Sequence, residues 1–414
     1  MLLSEFHYDY PSELIAQEAM EPRDASRMIV LDRSSQNFSH HTFRDFPDFF
    51  QNGDVLLLNN TKVLPARVWG KKKTGGKIEV LFVREIQTGP QDLRRGDATG
   101  GPPISASSAA MPKLGVRSGR TRSQLGNVWE CLFKNIGNLK NDEEIYFEMG
   151  EKKIPAKYFS EGEKKYLEFP ADFSVRDLMI QNGAAPLPPY IKRPEPRSAD
   201  LERYQSVFAE KEGAIAAPTA SLHFTPEVFE KLRAKGVEIH FITLHVGMGT
   251  FEPIRVENIE DHAMQTEYYE ISPEVKEAIL KAKQENRRVT AVGTTVMRAV
   301  ESFFVSIDAS WQTGPVAVAF PGSPRPVGLR ACGGGAASRH PFEATPCLET
   351  QLFITPGYKF KIIDRFLTNF HQPCSTPLLL TSAFAGKDFL FRAYQEAIEK
   401  KYRLFSYGDC MFIR

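Results

Sequence analysis

The strongest constraint on the fold is a change of rhythm along the chain. From Asp54 to Glu168, short apolar runs follow one another without helical spacing, among them VLLL at residues 55–58 and KIEVLFV at residues 77–83. Strand-like runs at residues 128–133 and 144–147 extend the series, and such closely spaced strands predict a small barrel or compact sheet. From Leu178 onward the pattern alternates. Thr225, Pro226 and Glu227 read as an N-cap, a proline at the first helical position and an acid at the positive end of the helix dipole. Gly236 stops that helix, and VEIHFITLHV follows as a strand. Ser272, Pro273 and Glu274 repeat the start signal, with Val275, Ala278, Ile279 and Ala282 at helical spacing. Residues 288–292 then read as a strand, 295–305 as a helix, 351–354 as a strand and 388–402 as a helix. Alternation of this kind predicts a mainly parallel α/β sheet, interrupted by the β-rich piece.

Composition narrows the class. Of 414 residues, 52 are Lys or Arg and 51 are Asp or Glu, a formal net charge of +1. That balance excludes a wholly basic nucleic-acid coat but leaves room for one basic face. The five cysteines include no C-x-x-C pair, which argues against a disulfide framework or a zinc ribbon. The amino terminus carries Ser4, Glu5, His7 and Asp9 where a signal peptide would be apolar. No apolar run approaches the ~20 residues of a membrane span. The expectation is a soluble, cytoplasmic chain without a membrane association, and monomeric by default. Residues 87–126 and 314–346 are rich in Gly, Pro, Ser and Arg and poor in large apolar side chains, so both read as flexible insertions.

Several motifs bear on chemistry. GKKKTGGK, residues 70–77, lacks the Lys-Ser/Thr order of a phosphate loop. It reads as a hairpin turn carrying Lys71, Lys72 and Lys73, which also suit contact with polynucleotide phosphates. At Val292, Gly293, Thr294 and Thr295 a strand runs into a helix start whose free N–H groups suit an anion. Arg298 and Glu301 follow on one helix face, and an internal Arg–Glu pair is the plainer reading of them. His223, His245, His262 and His371 all lie among loop-forming residues, where α/β sheets build ligand crevices. No histidine pair has helical i, i+4 spacing, so no metal site is expected.

Eleven segments, in order, carry a resemblance. Among them are GDVLLLNNTKVLPARVWG, PLPPYIKR, YQSVFAEKEGAIAAPTASLHFT, FITLHVGMGTFEP, EDHAMQTEYYE, VTAVGTTVMRAVES, LTNFHQPCST and YRLFSYGDCMF. Together they span nearly the whole chain outside the two biased insertions. The sequence resembles the S-adenosylmethionine:tRNA ribosyltransferase-isomerase family of queuosine biosynthesis. The resemblance implies a discontinuous α/β domain over residues 1–61 and 176–414, with a mixed, mainly parallel sheet and flanking helices, interrupted by a small β-barrel over 62–175. It implies transfer and isomerisation of the ribosyl moiety of S-adenosylmethionine onto 7-aminomethyl-7-deazaguanine at the wobble position of tRNA. Epoxyqueuosine-tRNA forms, and adenine and methionine leave.

That chemistry needs a neutral base, a proton donor for adenine and donors for sugar oxygens, with S-adenosylmethionine a consumed substrate and no cofactor. His223, His245, His262 and His371 fit the acid or base roles. Thr250, Thr294, Thr295, Glu301, Asn369 and Ser375 fit substrate contacts, and Arg298 fits the methionine carboxylate. Lys71, Lys72, Lys73, Lys192 and Arg193 are candidates for tRNA. The chain departs from the family pattern at Ser221 (usually Gly), Gln265 (often His) and Lys62 (usually Arg), and at Cys374 and Pro377. A catalytically silent RNA-binding protein and an enzyme acting on another nucleoside are the competing expectations; tRNA-dependent adenine release separates all three.

Overall fold

The computed structural model describes residues 1–86, 127–247, 254–312 and 347–414, and the chain divides into two units. Leu64–Pro186 form one, and Met1–Val63 with Leu187–Arg414 form the other. In chain order the strands begin with β1 (Arg27–Asp32), β2 (Asn37–Thr42), β3 (Val55–Asn59) and β4 (Thr61–Val63). The inserted unit follows with β5 (Arg67–Lys72), β6 (Lys77–Ile86), β7 (Asn127–Lys134), β8 (Glu144–Met149), β9 (Lys152–Glu161), β10 (Lys164–Phe169) and α1 (Val175–Asn182).

In the inserted unit, β5 to β10 close into a barrel in the order β10-β7-β6-β5-β8-β9, every pairing antiparallel. Val68, Ile78, Val80, Phe82, Phe147 and Phe169 fill its interior. The expected boundary at residue 175 falls short of the contact-defined one. The reason is that Ala184, just past α1, pairs with Arg67, and Asn182 donates to the Glu148 carbonyl, which ties α1 to the barrel.

The chain then returns through α2 (Ser198–Arg203), β11 (Lys211–Ala214), α3 (Pro226–Ala234), β12 (Glu238–Leu244), β13 (Glu267–Glu270), α4 (Pro273–Gln284) and β14 (Val289–Val292). It ends with α5 (Thr294–Gln312), β15 (Leu348–Thr350), β16 (Arg365–Asn369), α6 (Thr376–Ala385), α7 (Lys387–Glu399) and β17 (Cys410–Ile413). Thr225 and Ser272 cap α3 and α4 through their side chains, each followed by proline.

Nine described strands form the main sheet in the order β15-β13-β12-β3-β14-β16-β17-β1-β2. The expectation of a mainly parallel sheet is corrected: parallel and antiparallel pairings are equal in number. The parallel pairs are β12/β3, β3/β14, β14/β16 and β17/β1. The antiparallel ones are β15/β13, β13/β12, β16/β17 and β1/β2. One crossover helix returns a chain to its starting end and yields a parallel neighbour. Two helices, α6 and α7, separate β16 from β17, so β17 enters from the opposite end. The expected strand at 351–354 is also absent; the strand lies just before it, at β15.

Strand alternation divides the apolar residues between two faces. Val55 and Leu57 of β3 join α4, α5, α6 and α7 on one face. Leu56 and Leu58 join α3 and Phe43 and Phe46 on the other.

Candidate active site

The four strands β12, β3, β14 and β16 run parallel and bring their carboxyl ends to one edge, where α/β sheets collect ligands. At that edge β14 stops at Val292, Gly293 turns with φ +85, and α5 starts at Thr294. A positive φ is cheap only for glycine, which explains the residue at this turn. The turn leaves the first N–H groups of α5 facing outward without helical partners.

Two adjoining cavities meet at this helix start. An open crevice of about 760 Å³ is lined by Thr294, Thr295, Thr368, His371 and Ser375, with aromatic surface from Tyr190, Tyr204, Phe370 and Phe405. A second, smaller cavity shares Thr294, Thr295 and Pro377 and adds Arg298 and Glu267.

Of the four candidate histidines, His371 lines the crevice. Its Nε2 lies 2.8 Å from Thr368 Oγ1, its backbone N–H donates to the Tyr394 hydroxyl, and its carbonyl accepts from the Tyr8 hydroxyl. Desolvation pushes its pKa down to about 3, so the ring is neutral and its protonated form is disfavoured in this environment. His223 is buried against Phe43 on the other side of the sheet and lines a separate small pocket. Burial lowers its pKa to about 4, against a smaller opposing effect of Asn369. His245 sits beyond β12 with Nδ1 2.9 Å from Thr61 Oγ1, and burial lowers its pKa, partly offset by Glu270. Its ring closes over Gly213, where a Cβ would lie 2.8 Å from the imidazole. His262 packs edge-on against Phe353, a wall of the second cavity.

The polar candidates separate as sharply. Ser375 lines the crevice, but its hydroxyl donates to the Gln372 carbonyl at 2.7 Å and accepts the Leu378 N–H, so it caps α6. Asn369 is buried, donating to the Phe405 carbonyl. Period-2 alternation along β16 turns it away from Thr368 and Phe370 and toward His223. Glu301 requires a correction: it is fully buried and accepts the backbone N–H groups of Lys361, Ile362 and Ile363 and the Tyr358 hydroxyl. It organises that loop instead of binding substrate. Arg298 consequently pairs not with Glu301 but with Glu267, at 2.6 Å. Thr250 lies outside the described residues, as do the proposed insertions at 87–126 and 314–346.

Lys71, Lys72 and Lys73 stand at the end of β5 and in the β5–β6 turn, where Gly75 takes φ +89. Lys71 reaches Glu148 at 2.7 Å, and both side chains are exposed. Lys192 is exposed. Arg193 is corrected: its guanidinium is 5% exposed and grips both oxygens of Asp200, at 2.7 and 3.0 Å, so it holds the chain instead of a phosphate.

Other residues in and behind the crevice carried no assignment from sequence. The Tyr190 hydroxyl lies 2.6 Å from Ser406 Oγ, and its ring packs 5.2 Å from Phe405. Asn59, fully buried at the end of β3, bonds both backbone groups of Leu244 and reaches Thr295 Oγ1 at 3.4 Å. PLPPYIKR, YRLFSYG and NNTKV bear these residues, but only the fold brings them to α5.

A queuosine biosynthesis protein family profile matches residues 3–413. The chain belongs to this family. Its relatives include S-adenosylmethionine:tRNA ribosyltransferase-isomerases of Thermotoga petrophila and of a Sulfurihydrogenibium species, each 38% identical with the whole of both chains covered. The crystal structure of the S-adenosylmethionine tRNA ribosyltransferase of Thermotoga maritima aligns over 99% of this chain and 100% of that one, at 28% identity and a TM-score of 0.46. Family membership thus places the chain among tRNA-modifying transferase-isomerases. Within that family's Leu-His-Phe segment, Ser221 occupies a one-turn helix, Thr219–His223, without a positive φ, so its backbone has no need of glycine. Among the described residues no helix is long and apolar enough to cross a membrane.

Proposed function

We propose that this chain transfers and isomerises the ribosyl moiety of S-adenosylmethionine onto 7-aminomethyl-7-deazaguanine at the tRNA wobble position. The products are epoxyqueuosine-tRNA, adenine and methionine. The observation that carries this reading is the pair of cavities joined at the start of α5, one aromatic and histidine-bearing, the other holding Arg298. Aromatic walls suit a nucleobase, and a helix start beside a guanidinium suits the methionine carboxylate.

In this assignment His371 is the proton acceptor. A sulfonium acidifies the adjacent C5′ protons, and a neutral imidazole beside the sugar removes one of them. Thr294 and Thr295 hold substrate oxygens, and Thr368 orients the ring of His371. The barrel lysines Lys71, Lys72 and Lys73, with Lys192, supply phosphate contacts to the tRNA. The working form is a monomer in the cytoplasm.

The test is adenine release from S-adenosylmethionine, followed with and without precursor-bearing tRNA. Release only when that tRNA is present supports the reading. tRNA binding with no release would make the chain a silent binder, and release without tRNA would point to another nucleoside reaction.

A further inference from the structure

Arg298 and Glu267 form a buried pair that is matched in charge but short of hydrogen bonds. Their side chains are 11% and 5% exposed, and Nη1 of Arg298 lies 2.6 Å from Oε2 of Glu267. That contact is ionic without hydrogen-bond alignment: among the described residues Glu267 Oε2 has no hydrogen-bond partner, and neither do the buried Nε and Nη2 of Arg298. Buried ionised groups in this condition are costly, and native structures rarely leave them so without a ligand or water to complete them. The two residues come from separate elements, Glu267 opening β13 and Arg298 one turn into α5. Both line the smaller cavity, whose lining also includes the apolar Leu352, Ile354 and Leu380.

The kinds of atom left over select the ligand. Two neighbouring donors on a guanidinium edge match the two oxygens of a carboxylate. One acceptor on Glu267 matches a donor cation. A simple anion would complete Arg298 but set a second negative charge beside Glu267. A simple cation would do the reverse. A zwitterion completes both and leaves the local charge unchanged, which matters most where water is excluded.

We infer that Arg298 and Glu267 form a clamp for an α-amino-acid zwitterion, the methionyl end of S-adenosylmethionine. Arg298 Nε and Nη2 take the carboxylate, Glu267 takes the α-ammonium, and the apolar wall takes the methylene chain. The inference rests on the proposed function and deepens it, since it assigns Glu267 and makes the free amino group a condition of binding.

The experiment is a calorimetric cycle with S-adenosylmethionine, its decarboxylated analogue and its des-amino analogue, with precursor-free tRNA present and absent. Wild-type protein is expected to bind each analogue about 10–100-fold more weakly, the range of one charged hydrogen-bonded contact. Glu267→Gln, nearly isosteric, is expected to weaken S-adenosylmethionine by a similar factor and leave the des-amino analogue unchanged. Thermal unfolding of the ligand-free variant shows whether it folds, and the wild-type analogue series needs no variant at all. Equal affinity of wild type for all three ligands overturns the clamp. So does an equal loss for S-adenosylmethionine and the des-amino analogue in Glu267→Gln. Absence of any S-adenosylmethionine binding overturns both readings; selective binding without adenine release overturns the proposed function alone.

Discussion

His371 and His223 flank the end of the same strand, β16, and burial lowers both pKa values, yet they occupy opposite sides of the sheet. Around His371 lie a crevice, a threonine 2.8 Å from the ring and the start of α5. Around His223 lie Phe43 and Asn369, and its buried Nε2 has no hydrogen-bond partner among the described residues. Burial alone therefore does not mark a catalytic histidine. What distinguishes them is whether the neutral ring faces space for a substrate or the packed interior.

The largest expected effect tests the crevice side. His371→Ala should slow single-turnover adenine release by about 10²–10⁴-fold, the usual worth of a positioned base. The melting temperature should hardly move, because the Tyr394 and Tyr8 bonds use the backbone of residue 371. Wild-type turnover in this variant would erase the contrast.

The other side should answer to acid instead. His223 has an ordinary pKa of 6.5 when unfolded and about 4 when folded. Between those values the unfolded chain takes up a proton that the folded chain refuses. Its contribution to stability is thus complete above pH 6.5 and is lost as pH falls toward 4, by at most ~1.4 kcal/mol per pH unit. Urea midpoints measured from pH 7 to 4 should show this slope; because His371, held down to about 3, adds a slope of its own over the same range, His223→Gln should lessen it without abolishing it, and an unaltered slope would remove His223 as a source.

The smallest effect refines the crevice. Thr368→Val keeps the shape and removes the hydroxyl beside His371, a loss of about 1 kcal/mol, or some fivefold in turnover. A drop as large as that of His371→Ala would move the proton chemistry onto the pair.

Local signals carried well to the structure. The caps at Thr225 and Ser272 and the turn into α5 depend on neighbours within a few residues, and the sequence pattern displays them directly. The failures share the opposite property. Glu301 follows Arg298 at helical spacing, but backbone donors at residues 361–363 claim it from sixty positions away. Arg193 looks like a surface cation until Asp200 folds back to take the Nε–Nη2 edge of its guanidinium. Asn369 and His371 sit two residues apart in LTNFHQP, a spacing that strand alternation would put on one face; they part because β16 ends at Asn369 and His371 lies in the turn beyond it. Strand direction was hidden for a related reason: the sequence pattern showed a helix at 388–402 but not α6, which is apolar nearly all round, so it did not show two helices in succession reversing the next strand.

The position of β17 has a consequence for synthesis. Residues 410–413 lie between β16 and β1, pairing with strands far apart in the chain. A ribosome must therefore pass residue 413 before the nine-stranded sheet can be complete, while residues 27–32 wait with one edge unpaired. The barrel strands, drawn from one contiguous stretch, have all their partners much earlier. The order of translation thus favours a nascent chain whose inserted unit is paired while the larger unit is still open, a period in which the exposed edge of β1 is the segment most in need of protection.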